Sequence, residues 1–266
     1  MRVDLVDRAM AVSGATIRAI VYVMLALPAL LVIVSSFTSG ETLNFPPAGF
    51  SVRWYREAWK NDVFMTALWT STYVAVLVAT LALTIGFAAA FAINRFSFPG
   101  KAFLQALAFS PLIIPAVVLG IGLLQLFASL NLTQTLFPLL LGHLVLAIPY
   151  VMRTILASLS LHNQVLEEAA MNLRASPLRV VRRITLPLIL PGLLSAAIFA
   201  FVTSFGNVTV SAFLTYGGNV TLPVQIFTYV DTSYDPLVAA ISSLMIIVTL
   251  AVILTIEHLI GSERFA

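Results

Sequence analysis

The sequence predicts an all-α integral membrane protein, and three observations carry that reading. Of the 266 residues, 60% are hydrophobic and only 9% are charged, roughly a third of the soluble average of about 25%. About six apolar segments reach the roughly 20 residues that a hydrocarbon core requires. The basic residues sit beside those segments rather than among them. One polytopic domain over residues 1–266 is the simplest organisation.

The same observations exclude other classes. A pI near 9.4 and a formal charge of +3 invite a nucleic-acid reading, but the cations form no stripe. With no cysteine, disulfides, thiolate metal sites and cysteine nucleophiles are out. No G-x-x-x-x-G-K-[ST] phosphate loop occurs, and Gly120-Ile121-Gly122 is an isolated G-x-G inside a span. The three histidines, His143, His162 and His258, are scattered, so no metal site is expected. The first apolar segment spans a bilayer without a clear cleavage site after it, so no cleavable leader is expected.

In chain order, a short charged tail to about residue 15 precedes a first span, Thr16 to Phe37, with Pro28 inside it. Phe45-Pro46-Pro47 and Gly49 exclude a regular helix in the following polar segment. Trp54, Tyr55 and Trp59 at helical spacing suggest an interfacial helix with its rings at the headgroups. The second span runs from about Val63 to Ile93, and a basic turn, Asn94 to Lys101, follows it.

The third span, about Ala102 to Ser129, contains Ser110-Pro111 and Pro115. Such breaks persist at membrane depth only where protein or a water-filled cavity satisfies the freed backbone. The fourth span, about Thr135 to Leu159, carries His143, the one titratable group deep in a span. Polar groups there are functional candidates, although a neutral histidine bonded to a neighbouring carbonyl is the simpler reading. The fifth span, about Leu188 to Phe205, dissolves into the polar stretch Ser204 to Ser211. A loop from Tyr216 to Pro236 with Asp231 and Asp235 leads to the sixth span, Leu237 to Ile260. Those two acids read as solvated loop residues, or as contacts to a partner or cationic solute. Small polar side chains on loosened backbone make Ser110, Pro111, Pro115, Ser204, Asn207, Thr209 and Ser211 the candidates for lining a pathway.

Only Arg53, Arg56 and Lys60 fall in loops on the far side, leaving eleven of the 14 basic residues on the near one. Cytoplasmic loops carry the basic excess. Both termini, and the loop between spans four and five, are therefore expected in the cytoplasm.

That loop, about residues 160–187, holds four arginines in ten residues: Arg174, Arg179, Arg182 and Arg183. Val165 to Leu173 reads as a helix, and Ala175-Ser176-Pro177 breaks it. Ser176 is placed to cap a second helix with Pro177 at its first position. That helix would be apolar at Leu178, Val181 and Ile184 and would end near Pro187.

Glu168-Ala169-Ala170, then Arg174, then Ile184-Thr185-Leu186-Pro187 resembles the EAA loop of membrane subunits of binding-protein-dependent ABC importers. Phe45-Pro46-Pro47 through Trp54-Tyr55, and Ser211 through Leu222-Pro223, resemble the spermidine/putrescine-type branch. The branch also includes permeases for opines, phosphonates, other small amines and ferric ions. The resemblance implies the six-helix type I ABC importer permease fold, with a cytoplasmic coupling helix. It implies an inner-membrane subunit that catalyses no reaction and forms half of a translocation pathway for a small solute such as a polyamine.

The implied partners are a second homologous permease subunit, two ATPase subunits that bind ATP and Mg, an extracytoplasmic solute-binding protein and lipid. This chain itself would bind no cofactor. Glu168, Ala169, Ala170, Arg174, Ala175, Ser176, Ile184, Leu186 and Pro187 would dock the ATPase. Family members usually have glycine where this chain has Arg174. Either the turn is built differently, or Arg174 makes a compensating contact. The competing class is an ion-gradient-driven secondary transporter, which would normally show intramembrane acids or inverted repeats; neither is evident.

Overall fold

The computed structural model describes residues 2–263, with the side chains of residues 2–6, 9 and 259–263 left aside. The described residues are helical apart from loops and one isolated antiparallel bridge, Thr38 with Phe50. Five helices are long and apolar enough to cross a membrane: Met10–Ser36, Asp62–Arg95, Phe137–Leu161, Pro177–Phe205 and Leu237–His258. A sixth crossing is available if the bent pair Lys101–Leu112 and Ala116–Ser129 counts as one span.

The chain divides into two compact units. The first comprises α1 (Arg2–Ser36), α2 (Arg53–Lys60), the first turn of α3 and residues Thr228–Val248. The expected charged tail is instead the start of α1. The α2 helix forms where the aromatic spacing predicts it, but its rings do not share one environment. Trp54 is buried and donates from Nε1 to the Gly40 carbonyl at 3.1 Å, which ties down the proline-rich loop. The Tyr55 hydroxyl lies 2.6 Å from Ser36 Oγ on α1 and 2.7 Å from Ser243 Oγ. Trp59 alone stays exposed, at 74%.

The second unit is built on α3 (Asp62–Arg95), α6 (Phe137–Leu161) and α9 (Leu186–Phe205). In lipid, apolar side chains gain nothing by leaving solvent, so helices associate through close packing, which small residues permit. On α3 the buried residues Val74, Val78, Ala82, Gly86 and Ala90 recur every fourth position, one helical stripe. A Cβ on Gly86 would come within 2.6 Å of Val151 on α6. Gly192 of α9 lies so close to Ser158 of α6 that a Cβ there would overlap its hydroxyl. Ile155, Leu159, Ile189, Ala196 and Ala200 fill the same core.

The third predicted span is not one rod. After α4 (Lys101–Phe109), a single 3₁₀ turn over Ser110–Leu112 and Pro115 precede α5 (Ala116–Ser129), and the two halves meet at 105°. Pro111 and Pro115 each remove a donor, and Ile114 before Pro115 is driven out of the helical region. The fifth span also differs. It begins at Pro177, because α8 (Pro177–Val180), a π turn over Val181–Thr185 and α9 run as one helix. The wider turn accommodates the donor that Pro187 lacks.

The expected loop from Tyr216 to Pro236 contains a helix, α11 (Leu222–Val230). Its Leu222 N–H donates to Ser71 Oγ at 2.7 Å. Pro223 sits in its first turn, where a missing donor costs nothing.

Candidate functional site

Two polar constellations stand out in the second unit. The first surrounds α7 (Val165–Asn172), the short helix of the arginine-rich loop. Asn163 Oδ1 accepts the Val165 N–H at 3.0 Å and starts the helix. At its far end Arg174 N–H donates to the Met171 carbonyl and Ala175 N–H to the Ala170 carbonyl, at 2.9 and 3.1 Å. This pair of bonds is a Schellman ending, whose C′ residue must be left-handed. Arg174 takes that position with φ +63°.

So the turn keeps the conformation that suits glycine, and a non-glycine residue there costs about 1–2 kcal/mol. The Arg174 side chain is exposed and makes no hydrogen bond or ion pair among the described residues. Among the described residues no side-chain bond offsets the strain. Ser176 is extended and precedes Pro177 as expected, but its side chain makes no capping bond.

No residue of α7 is buried. Adjacent residues on a helix point about 100° apart, and the Glu167-Glu168 pair divides accordingly. Glu168 and Ala169 face outward, with Ala170 half-buried. Glu167 turns inward. Its Oε1 accepts from Arg95 Nη2 at 2.6 Å and from Thr185 Oγ1 at 2.9 Å. The side chains of Arg95 and Glu167 are 10% and 12% exposed. Arg95, at the end of α3, also donates to Asn94 Oδ1 and lies 6.0 Å from the Phe91 ring. Beneath α7 is a cavity of about 430 Å³ bordered by Phe91, Phe96, Met171 and Val180.

The π turn decides which face of the second helix is buried. Val180, Thr185 and Ile189 are buried, whereas Leu178 is 68% exposed. The expected stripe Leu178, Val181 and Ile184 is therefore not the packed face. One extra residue in the turn puts Val180 and Thr185, five apart, in line. Ile184 and Leu186 are half-buried and Pro187 is exposed, while Arg179, Arg182 and Arg183 all project outward.

The second constellation is inside the bundle. His143 on α6 is buried, with Nδ1 2.7 Å from Ser204 Oγ and Nε2 2.8 Å from Ser211 Oγ. Counting hydrogens assigns the roles. Ser211 Oγ donates to the Asn207 carbonyl at 2.7 Å, so it must accept from His143 Nε2–H. Nδ1 is then the acceptor for the Ser204 hydroxyl, and the neutral ring has both nitrogens satisfied. The partners are serine hydroxyls rather than the expected carbonyl. Asn207 Oδ1 accepts from Val210 and Ser211 N–H and starts α10 (Thr209–Leu214).

The pathway candidates are thus placed unevenly. Ser204 and Ser211 are buried against His143, Asn207 and Thr209 are half-buried, and Ser110, Pro111 and Pro115 line the bend before α5. Here α10 packs on α5, where a Cβ on Gly120 would come 2.5 Å from the Phe213 ring.

In the first unit, Asp235 is engaged and Asp231 is exposed. Asp235 accepts from Tyr229 OH at 2.7 Å and from Leu237 N–H at 3.0 Å, capping α12 (Leu237–Glu263). Burial, and then the bond to Asp235, hold the Tyr229 hydroxyl above its usual pKa, so it stays a donor.

Residues 82–261 match the family model of the binding-protein-dependent transport system inner membrane component. The chain belongs to this family. It is a multi-pass permease of the ABC importer class rather than an enzyme. It is 33% identical over 234 residues to the spermidine/putrescine transport system permease protein PotC of Haemophilus influenzae, covering 88% of this chain and 91% of that one. With the putrescine transport system permease protein PotI of Escherichia coli it shares 32% over 232 residues, covering 85% and 82%.

In fold the permease resembles a chain of the bacterial alginate ABC transporter in complex with its alginate pentasaccharide-bound periplasmic protein. The TM-score is 0.72 at 14% identity, covering 96% and 95% of the two chains. The inward-facing MetNI methionine ABC transporter gives 0.63 at 19%, covering 78% and 97%. The sequence reading named Glu168 and passed over Arg95, Glu167 and Thr185, which the structure brings together. An arginine at the membrane edge and a doublet of acids on one short helix were the available signals.

Proposed function

We propose that this permease forms half of the translocation pathway of an ATP-driven importer for a polyamine or a related small amine. The permeases named above for spermidine and putrescine support the substrate class. A solute-binding protein would deliver the solute from outside, a second homologous permease would complete the pathway, and two ATPase subunits would hold ATP and Mg. Lipid surrounds the spans, and Arg182 and Arg183 are suited to anionic headgroups. In this reading both termini are cytoplasmic.

The observation that carries the reading is α7, a helix with nothing buried of its own, which presents Glu168 and Ala169 outward between two spans. An exposed carboxylate can take a bidentate pair from an arginine of an ATPase groove. Alanines beside it allow close approach. Ala170, Arg174, Ala175, Ser176, Ile184, Leu186 and Pro187 complete the docking surface. Closure of the ATPase pair around ATP would draw the coupling helices together, and the bundle would exchange an inward-facing packing for an outward-facing one.

The test is co-expression with candidate ATPase and permease partners. Co-purification, with ATP-dependent uptake of labelled spermidine or putrescine into proteoliposomes, is the expected result. Uptake driven by an ion gradient without any ATPase would favour the secondary-transporter alternative.

A further inference from the structure

We infer that Glu167, held by Arg95 and Thr185, is a positioning residue that transmits the movement of α7 to the membrane bundle. The inference rests on the reading of α7 as the ATPase-docking helix.

Three observations carry it. First, α7 has no buried residue and borders a cavity of about 430 Å³ that it shares with the end of α3 and the start of the fifth span, so tight packing does not fix it to those helices. Second, Glu167 is the one α7 side chain among the described residues with hydrogen bonds beyond α7 itself. Third, its two donors belong to different spans. Arg95 ends α3, and Thr185 closes the π turn that opens into α9. One carboxylate oxygen therefore joins three elements at one point.

Geometry suits this role. The tie is charge-assisted and mostly shielded from water, so it is stiffer than an exposed ion pair. The π turn is a local departure from α-helical bonding, and such turns concentrate at functional positions. Thr185 lies at its end, so α7 grips α9 at the turn where its helical register is already altered. Arg95 Nε is buried without a partner, so the ion pair uses one prong of the guanidinium. It retains a donor for a second, two-pronged geometry when α7 shifts. Glu168 has the opposite design, exposed and with no side-chain hydrogen bond or ion pair among the described residues. One glutamate meets the partner and its neighbour connects α7 to the spans.

The experiment uses the assembled transporter in proteoliposomes, with solute uptake and ATP hydrolysis measured together. Glu167→Gln keeps the side chain's shape and removes its charge. The expected result is normal co-purification of the ATPase, sustained ATP hydrolysis and a fall of roughly tenfold in solute moved per ATP, within the usual range of coupling between sites. Thr185→Val keeps the ion pair and removes one bond; a smaller drop of about twofold to threefold is expected. Arg95→Gln combined with Glu167→Gln should be no worse than either alone, because the three residues act as one tie.

Wild-type uptake per ATP in both Glu167→Gln and Thr185→Val would overturn the inference. Loss of the ATPase from Glu167→Gln would do so too, by making Glu167 a docking residue. Failure of the underlying reading looks different: Glu168→Arg would then keep both the ATPase and transport.

Discussion

The seam between α6 and α9 and the arginine-rich segment at 160–187 are consecutive in the chain, yet different forces hold them. Along the seam, Gly192, Ala196 and Ala200 bring the helices close and large side chains fill the remaining space. In the arginine-rich segment a helix with no buried residue hangs on one ion pair, one hydroxyl and a strained turn. A packed seam resists displacement in every direction, because closely packed side chains have few alternative arrangements. A tethered helix can move as a unit while staying connected. A transporter that takes its energy from a partner on one side of the membrane needs both.

Substitutions on either side of this divide should fail in different ways. Glu168→Arg has the largest expected effect. It places like charge against the arginine that the carboxylate would meet, and a central interface residue is worth about 2 kcal/mol or more. Association with the ATPase should fall roughly thirtyfold or more, read by pull-down, while insertion and thermal stability stay normal. A variant that retained its ATPase but melted early would place Glu168 with the packed residues.

On the packed side, Gly192→Val should force α6 and α9 apart. Overpacking costs typically 1–3 kcal/mol, and here the obstacle is the Ser158 hydroxyl and its backbone-proximal Cβ. The midpoint of thermal unfolding in detergent should drop, with ATPase association retained by the molecules that remain folded. An unchanged midpoint would mean that the seam tolerates separation.

His143→Ala should also destabilise, by about 2 kcal/mol, because it leaves a small void and a buried Ser204 hydroxyl without its acceptor. His143→Gln offers one amide donor and one carbonyl acceptor and should recover much of that loss. If alanine and glutamine melted alike, shape rather than hydrogen bonding would explain the histidine. A selective loss of transport in folded His143→Gln would move the cluster from packing to the pathway.

The smallest effect is expected at Arg174. Glycine there should relieve about 1 kcal/mol of left-handed strain. Its side chain has no partner among the described residues, and under the proposed docking role it would meet an acidic group of the ATPase, a bond worth roughly 1.5–3 kcal/mol. The second term is larger, so Arg174→Gly should lower solute-stimulated ATP hydrolysis. Equal or better stimulation would return the position to turn geometry alone.

How much was legible beforehand varies with the range of the interaction. The end of α7 before Ala175-Ser176-Pro177 could be read locally, because a helix end is settled by a handful of consecutive residues, whereas the left-handed conformation of Arg174 was left open until the structure showed it. The two glutamates could not be told apart in the same way. Which one turns inward depends on where Arg95 lies, 72 residues away. His143 attracted attention as a polar residue in a span, but its serine partners are 61 and 68 residues distant. The helix α11 was hidden by glycine and proline around it, and Leu222 is bonded to a serine 151 residues earlier.

By itself the sequence determined the membrane class, the number of apolar segments, the breaks at Pro111 and Pro115, and the family, since composition, proline chemistry and a contiguous motif are local. Only the tertiary structure decided the 105° bend, the continuity of the fifth span through a π turn, the packed face of that helix and which of Glu167 and Glu168 turns inward. Each of these depends on which distant backbone supplies the close surface or the missing hydrogen-bond partner, and spacing along one chain does not encode that.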